Sequence, residues 1–172
     1  MNANASALIA LGTNLPYQDI SGSALLARAV TQMRAAGLGP RLLSGIWRTD
    51  PWPPSAQPVF FNAVAELDPQ GRTPQELYAA LRTIERAFGR ARRQRWGPRT
   101  LDLDLIAMAG WIGTFGTLTL PHKRMQERAF VLAPLAEVAP DWRHPISGRS
   151  ARELLAALAP GQVVRRTGGF AP

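Results

Sequence analysis

At 172 residues and 46% hydrophobic content, the chain can bury one core, and its lack of cysteine excludes disulfide frameworks and thiolate metal sites. No apolar run nears the ~18–20 residues that span a bilayer, and residues 1–6 lack the basic flank of a secretion signal, so a cytoplasmic protein with no membrane partner is expected. The net charge of +8 raises nucleic-acid binding. Against that, Lys123 is the sole lysine beside 19 arginines, and the densest arginine run, residues 82–99, contains Glu85 and leads onto two aspartates. A duplex-binding patch gains nothing from acids at its centre, whereas a metal–triphosphate site needs both signs. No nucleic-acid partner is expected.

In chain order, residues 6–11 read as a strand running into Gly12-Thr13-Asn14. Leu25, Leu26, Ala29, Val30 and Met33 then recur at helical spacing over residues 23–36, with Gly37 placed to end the helix. A single strand is expected over 42–49, followed by a loop stiffened by four prolines in residues 50–58. Residues 60–67 have strand character. Thr73-Pro74-Gln75-Glu76 supplies an N-cap, a proline at the first helical position and a capping-box glutamate. That helix buries Leu77, Leu81, Ile84 and Phe88 and closes at Gly89.

Residues 90–98 are too charged for core and read as a mobile loop before a strand over 100–108. Gly110, Gly113 and Gly116 punctuate a connection, and a short strand over 118–120 ends at Pro121-His122. A helix is expected near 128–138, its limits blurred by Pro134, and Ser150-Ala151-Arg152-Glu153 opens another that stops at Pro160-Gly161. A last strand is placed at 163–166, with an irregular tail from about 167. No repeat or linker breaks the chain, so one domain over 1–172 is expected. Strands and helices interleave as in an α+β sheet covered by helices.

The chemistry concentrates in Arg95-Trp96-Gly97-Pro98-Arg99-Thr100-Leu101-Asp102-Leu103-Asp104. Side chains alternate faces along a strand, so Asp102 and Asp104 point together while Leu101, Leu103 and Leu105 point into the core. Two carboxylates roughly 6–7 Å apart suit hard cations. Arg90, Arg92, Arg93, Arg95 and Arg99 precede them, and guanidinium groups grip phosphate oxygens. No P-loop occurs, and the Gly110, Gly113, Gly116 spacing is wrong for a dinucleotide fingerprint. Phosphates must then be held by side chains and metal.

This string resembles the signature of the 6-hydroxymethyl-7,8-dihydropterin pyrophosphokinases (HPPK). The likeness extends from Ile9-Ala10-Leu11-Gly12-Thr13-Asn14-Leu15 through Pro121-His122 and Arg128-Ala129-Phe130-Val131-Leu132-Ala133-Pro134-Leu135, up to about His144-Pro145. It implies a ferredoxin-like, mainly antiparallel sheet and transfer of pyrophosphate from ATP to the hydroxymethyl group of the pterin, giving AMP. It also implies two Mg²⁺ ions on Asp102 and Asp104, and phosphoryl-following roles for Arg90 and Arg99. The pterin pocket would comprise Thr49, Trp52, Phe60, Asn62, Trp96 and Phe130. Of these, Asn62 is the least ordinary, because an amide inside a strand needs partners if buried. Glu85, Thr119, His122, Lys123 and Arg128 match the nucleotide side, with Glu85 in a supporting role.

Three positions depart from the family's pattern. Lys123 stands where proline or tyrosine is common, Thr117 where some members have an ATP-contacting arginine, and Pro53 where glycine is frequent. The partners expected are ATP and the pterin, for a monomer. Two other readings of the residues stay open. A basic nucleic-acid-binding domain of the same fold class would show steeply salt-dependent binding and no Mg-ATP binding. A kinase for another small heterocycle would release ADP instead of AMP.

Overall fold

The computed structural model describes residues 6–51, 54–89 and 100–170. Among them the elements run β1 (Ala7–Thr13), α1 (Gly22–Ala35), β2 (Pro40–Leu43), β3 (Ile46–Thr49), β4 (Phe60–Leu67), α2 (Pro74–Ala87), β5 (Asp102–Met108), β6 (Gly113–Phe115), β7 (Leu118–Leu120), α3 (Ala129–Val138), α4 (Ala151–Ala156) and β8 (Val164–Gly168). The main sheet is ordered β5-β1-β4-β3-β8, β2 also pairs with β4, and these pairings are antiparallel. Its β5-β1-β4-β3 portion is the order of a βαββαβ ferredoxin-like unit, with β2 and β3 together forming the second strand.

Period-2 patterning makes the sheet two-sided. Ile9 and Leu11 of β1, Ala63 and Ala65 of β4, and Leu103 and Leu105 of β5 share a buried cluster with Leu25, Leu26, Ala29 and Met33 of α1 and Leu77 and Leu81 of α2. On the opposite face, Leu8, Val64 and Ile106 pack with Val131, Leu132 and Leu135 of α3 and Ala151 and Leu154 of α4. A register shift between Leu8 and Ile9 lets the adjacent β5 residues Ile106 and Ala107 both join this second cluster. α3 and α4 cover only one end of their face; the other end, with Ala10, Gly12, Asn62, Asp102 and Asp104, opens into a cleft.

The capping boxes at Thr73–Glu76 and Ser150–Glu153 form as the sequence predicts. α3 runs through Pro134, and its first N–H, on Ala129, donates to Gln162 Oε1 at 2.9 Å, so the residue leading into β8 caps the helix.

Three expectations are corrected. The single strand over 42–49 is broken at Ser44-Gly45 into β2 and β3. Ser44 Oγ accepts the Val64 N–H at 2.9 Å, and a Cβ on Gly45 would stand 2.7 Å from the Gly168 carbonyl oxygen, so the close approach of β8 demands glycine there. Residues 113–115, read as connection, pair with β7 as β6. The last strand extends to Gly168, two residues past the expected 166, because β8 pairs along β3 from Thr49 back to Ile46.

Candidate active site

Register assembles the cleft floor. Gly12 of β1 lies between Asn62 of β4 and Asp102 of β5, and Ala10 lies between Val64 and Asp104. One row across three strands therefore runs amide, bare backbone, carboxylate. The cleft above it has a volume of about 620 Å³ and includes Thr49, Phe60, Asn62, Asp102, Asp104, Arg124, Glu127, Arg128 and Phe130 in its walls. Such a size suits a small organic ligand.

At the β4 end, Asn62 is 4% exposed and Thr49 3% exposed, and the Asn62 amide N–H donates to Thr49 Oγ1 at 2.9 Å. That bond satisfies part of a buried amide and fixes its direction. A Cβ placed on Gly12 would lie 3.2 Å from Asn62 Oδ1, which locates the amide oxygen over the glycine. Glycine weakens a strand interior by ~0.5–1 kcal/mol relative to alanine.

At the β5 end, Asp102 and Asp104 are half-buried while Leu101, Leu103 and Leu105 are buried, as the alternation predicts. Between the two carboxylates the backbone is anchored from behind. Glu85 of α2, 1% exposed, accepts the Leu103 N–H at 2.7 Å and a guanidinium N–H of Arg82. Arg82 Nη2 also approaches Asp104 Oδ1 at 3.7 Å, and its guanidinium sits 4.7 Å from the Tyr78 ring centroid. Burial works against the Arg82 charge, but Glu85 and then Tyr78 together more than offset it, and the pKa ends above its ordinary value. Glu85 does not line the cleft; it acts on the site through the β5 backbone and Arg82.

A family model described as 7,8-dihydro-6-hydroxymethylpterin-pyrophosphokinase matches residues 8–140, which includes every strand of this floor. The chain belongs to the HPPK family. A protein of Methylorubrum extorquens named 2-amino-4-hydroxy-6-hydroxymethyldihydropteridine pyrophosphokinase is 41% identical over 92% of this chain and 97% of its own length. One of the same name from Pseudomonas aeruginosa is 43% identical over 87% of this chain and 89% of its own. Among solved structures, Plasmodium falciparum HPPK-DHPS superposes with a TM-score of 0.67 at 11% identity, over 88% of this chain and 43% of that one. At that identity the likeness speaks for the fold, and this chain spans less than half of the Plasmodium chain.

The rim of this HPPK cleft is basic. Arg128, half-buried ahead of α3, places its guanidinium 5.5 Å from the Phe130 ring centroid, while Arg124 pairs with Glu127 at 3.5 Å. His122 follows β7 beyond a cis Leu120–Pro121 bond, and its N–H donates to the Ile106 carbonyl at 2.8 Å. Its Nδ1 accepts the Arg124 N–H at 3.2 Å, so a neutral ring carries its proton on Nε2. Burial and then Arg128 push the His122 pKa down to about 4, against the pull of Asp102.

The structure thus brings Thr49, Phe60, Asn62, Phe130, Asp102, Asp104 and Arg128 to one cleft. Thr119, His122 and Lys123 lie on the β7 side, outside the cleft walls, with Thr119 Oγ1 3.3 Å from Thr114 Oγ1 on β6. Trp52, Arg90, Trp96 and Arg99 lie outside the described residues, as does the 90–98 loop. Sequence reasoning missed Gly12, Arg82, Arg124 and Glu127 as parts of the site. The i,i+3 spacing of Arg82 and Glu85 was the available signal for the buried pair.

Proposed function

We propose that the cleft between β4 and β5 is where pyrophosphate passes from ATP to 6-hydroxymethyl-7,8-dihydropterin, the reaction of the HPPK family. The observation that carries this reading is the row Asn62–Gly12–Asp102, with a directed amide at one end of a single floor and a carboxylate at the other. A flat heterocycle edged with donors and acceptors fits the amide end, where Asn62 and Thr49 would bind its edge and Phe60 and Phe130 its faces. The nucleotide would lie toward Asp102, Asp104 and Arg128, with Thr119, His122 and Lys123 at its outer side. Glu85 supports this side indirectly, by holding β5.

Asp102 and Asp104 fit magnesium by donor chemistry. They offer hard oxygens on one face, and among the described residues no group of three His, Cys, Asp or Glu side chains gathers to make a closed cage. That leaves coordination positions for phosphate and water, the usual state of Mg²⁺ at a triphosphate, and two such ions are proposed here. When bound, Mg²⁺ offsets triphosphate charge. The hydroxymethyl oxygen would give up its proton to solvent and bond to the β-phosphorus as the bond from that phosphorus to the α–β bridging oxygen breaks, and AMP leaves with that oxygen. Asn62 and Thr49 orient the pterin for that attack, and Phe60 and Phe130 exclude water from its faces. His122, neutral with its proton on Nε2, serves as a hydrogen-bond donor and not as a base. Arg90 and Arg99 are assigned the transferring phosphates through the family's pattern, as permanently charged planar donors.

Incubation of the protein with Mg-ATP and the reduced pterin, followed by identification of the nucleotide product, tests the reading. AMP together with the pterin diphosphate is expected. ADP, or no pterin-dependent turnover, would overturn it.

A further inference from the structure

Gly12 has no backbone reason to be glycine. It sits inside the central strand β1, paired on one side with Asn62 and on the other with Asp102. The register shift in this strand lies between Leu8 and Ile9, away from it. Its φ is outside the left-handed region that favours glycine. Glycine in a strand interior otherwise marks a place where something approaches the backbone closely. What an added methyl would meet identifies that place. Its carbon would stand 3.2 Å from Asn62 Oδ1 and 4.0 Å from the Asp102 Cβ, on the cleft side, wedged between the amide and the carboxylate. Ala10, the next β1 residue on that face, is small as well.

We infer that Gly12 is a specificity-determining residue: its bare backbone seats the one-carbon arm of a flat heterocycle whose ring edge is held by Asn62 and whose hydroxyl must reach Asp102. The inference rests on the reaction proposed above and adds a requirement on substrate shape. Asn62 Oδ1 and the Asp102 Cβ flank the same point above Gly12, at 3.2 and 4.0 Å from it. A ring held at the amide end therefore brings an oxygen to the carboxylate end across Gly12, and in a pterin with a one-carbon arm it is the arm that carries that oxygen. A methyl on residue 12 obstructs that crossing, while a ring without an arm does not need it.

The test is calorimetric, with a non-hydrolysable ATP analogue and Mg²⁺ present, on wild type and Gly12→Ala, using 6-hydroxymethyl-7,8-dihydropterin and the same dihydropterin lacking the hydroxymethyl group. Gly12→Ala is expected to weaken binding of the armed pterin by about tenfold or more, the effect of one methyl group in a fitted pocket. Binding of the unarmed pterin and of the ATP analogue should stay within about threefold, that is, below one methylene's worth of discrimination. Unaltered binding of the armed pterin overturns the inference. So does an equal loss for both pterins, because the methyl would then act by displacing the Asn62 amide. Gly12→Ser, whose polar side chain is set at the same place, must reproduce the discrimination. If wild type binds both pterins yet forms no AMP, the proposed reaction fails while the seat is still judged by the two affinities. Wild type that binds neither pterin overturns both.

Discussion

Removing the Glu85 carboxylate should unseat β5 between its two aspartates. Glu85 is buried and accepts both the Leu103 N–H and an Arg82 N–H, so Glu85→Ala leaves a backbone donor without its acceptor and a largely buried guanidinium without its principal counter-charge. Breaking a buried ion pair from one side costs about 3–5 kcal/mol, and an orphaned buried donor about 1–3 kcal/mol. The two terms share one carboxylate and overlap, which places the expected loss at about 4 kcal/mol. With a urea m-value near 2 kcal/mol/M, the midpoint should fall by about 2 M. Glu85→Gln keeps an acceptor for Leu103 and should lose about half as much. The paired change Arg82→Met with Glu85→Leu removes both charges, a replacement that is often near neutral, but still orphans the Leu103 N–H, so it should cost about 1–3 kcal/mol, less than Glu85→Ala alone. Urea melts of the four proteins make the comparison. A Glu85→Ala midpoint within 0.5 M of wild type, on the order of 1 kcal/mol, would show that the carboxylate does not hold β5.

Asp102→Asn and Asp104→Asn should each nearly abolish turnover while leaving the urea midpoint little changed, because both side chains face the cleft; near-wild-type rates at saturating Mg²⁺ would remove them from metal binding. Asn62→Ala should weaken pterin binding far more than binding of an ATP analogue, and equal calorimetric losses for both ligands would count against its role at the heterocycle edge. The two histidines make acid sensitivity readable. Burial lowers the His144 pKa, and burial with Arg128 pushes His122 to about 4, both below the ordinary value near 6.5. Between those values the unfolded chain binds more protons, so stability should be lost as pH falls from about 6.5 toward 4. Proton NMR of the imidazole C–H signals should show His122 titrating near pH 4, and a midpoint near 6.5 would contradict the burial described for it.

The acid face was readable because it rests on the period-2 alternation of Leu101, Leu103 and Leu105, which tertiary structure had no reason to override. The α2 boundaries followed from local capping chemistry at Thr73 and Glu76. What escaped depends on partners distant in sequence. Nothing near Gly45 announces that Gly168 will lie against it, so the break between β2 and β3 was invisible. Likewise Gly12 looked like the end of a strand, and its place between Asn62 and Asp102 exists only once three strands are in register. Glu85 was legible as a supporting acid of the nucleotide side, but its burial against the β5 backbone had no local signal, because it comes from β5 packing over α2.

The floor of the cleft is made by β1 and its two neighbours, and β1 is hydrogen-bonded along both edges. Segments of that kind exchange their amide protons only when the whole domain opens, whereas edge strands such as β8 and the separate β6–β7 hairpin can open on their own. Asn62 and Gly12 are consequently kept in position by the global stability of the protein, whereas Asp102 lies on the edge strand β5 and depends on β1 and on the hold of Glu85 on the neighbouring Leu103 N–H. A lineage altering what this cleft accepts would find cheap variation on the rim, around Arg124, Glu127 and the proline-rich loop, and would risk the fold itself by altering the floor.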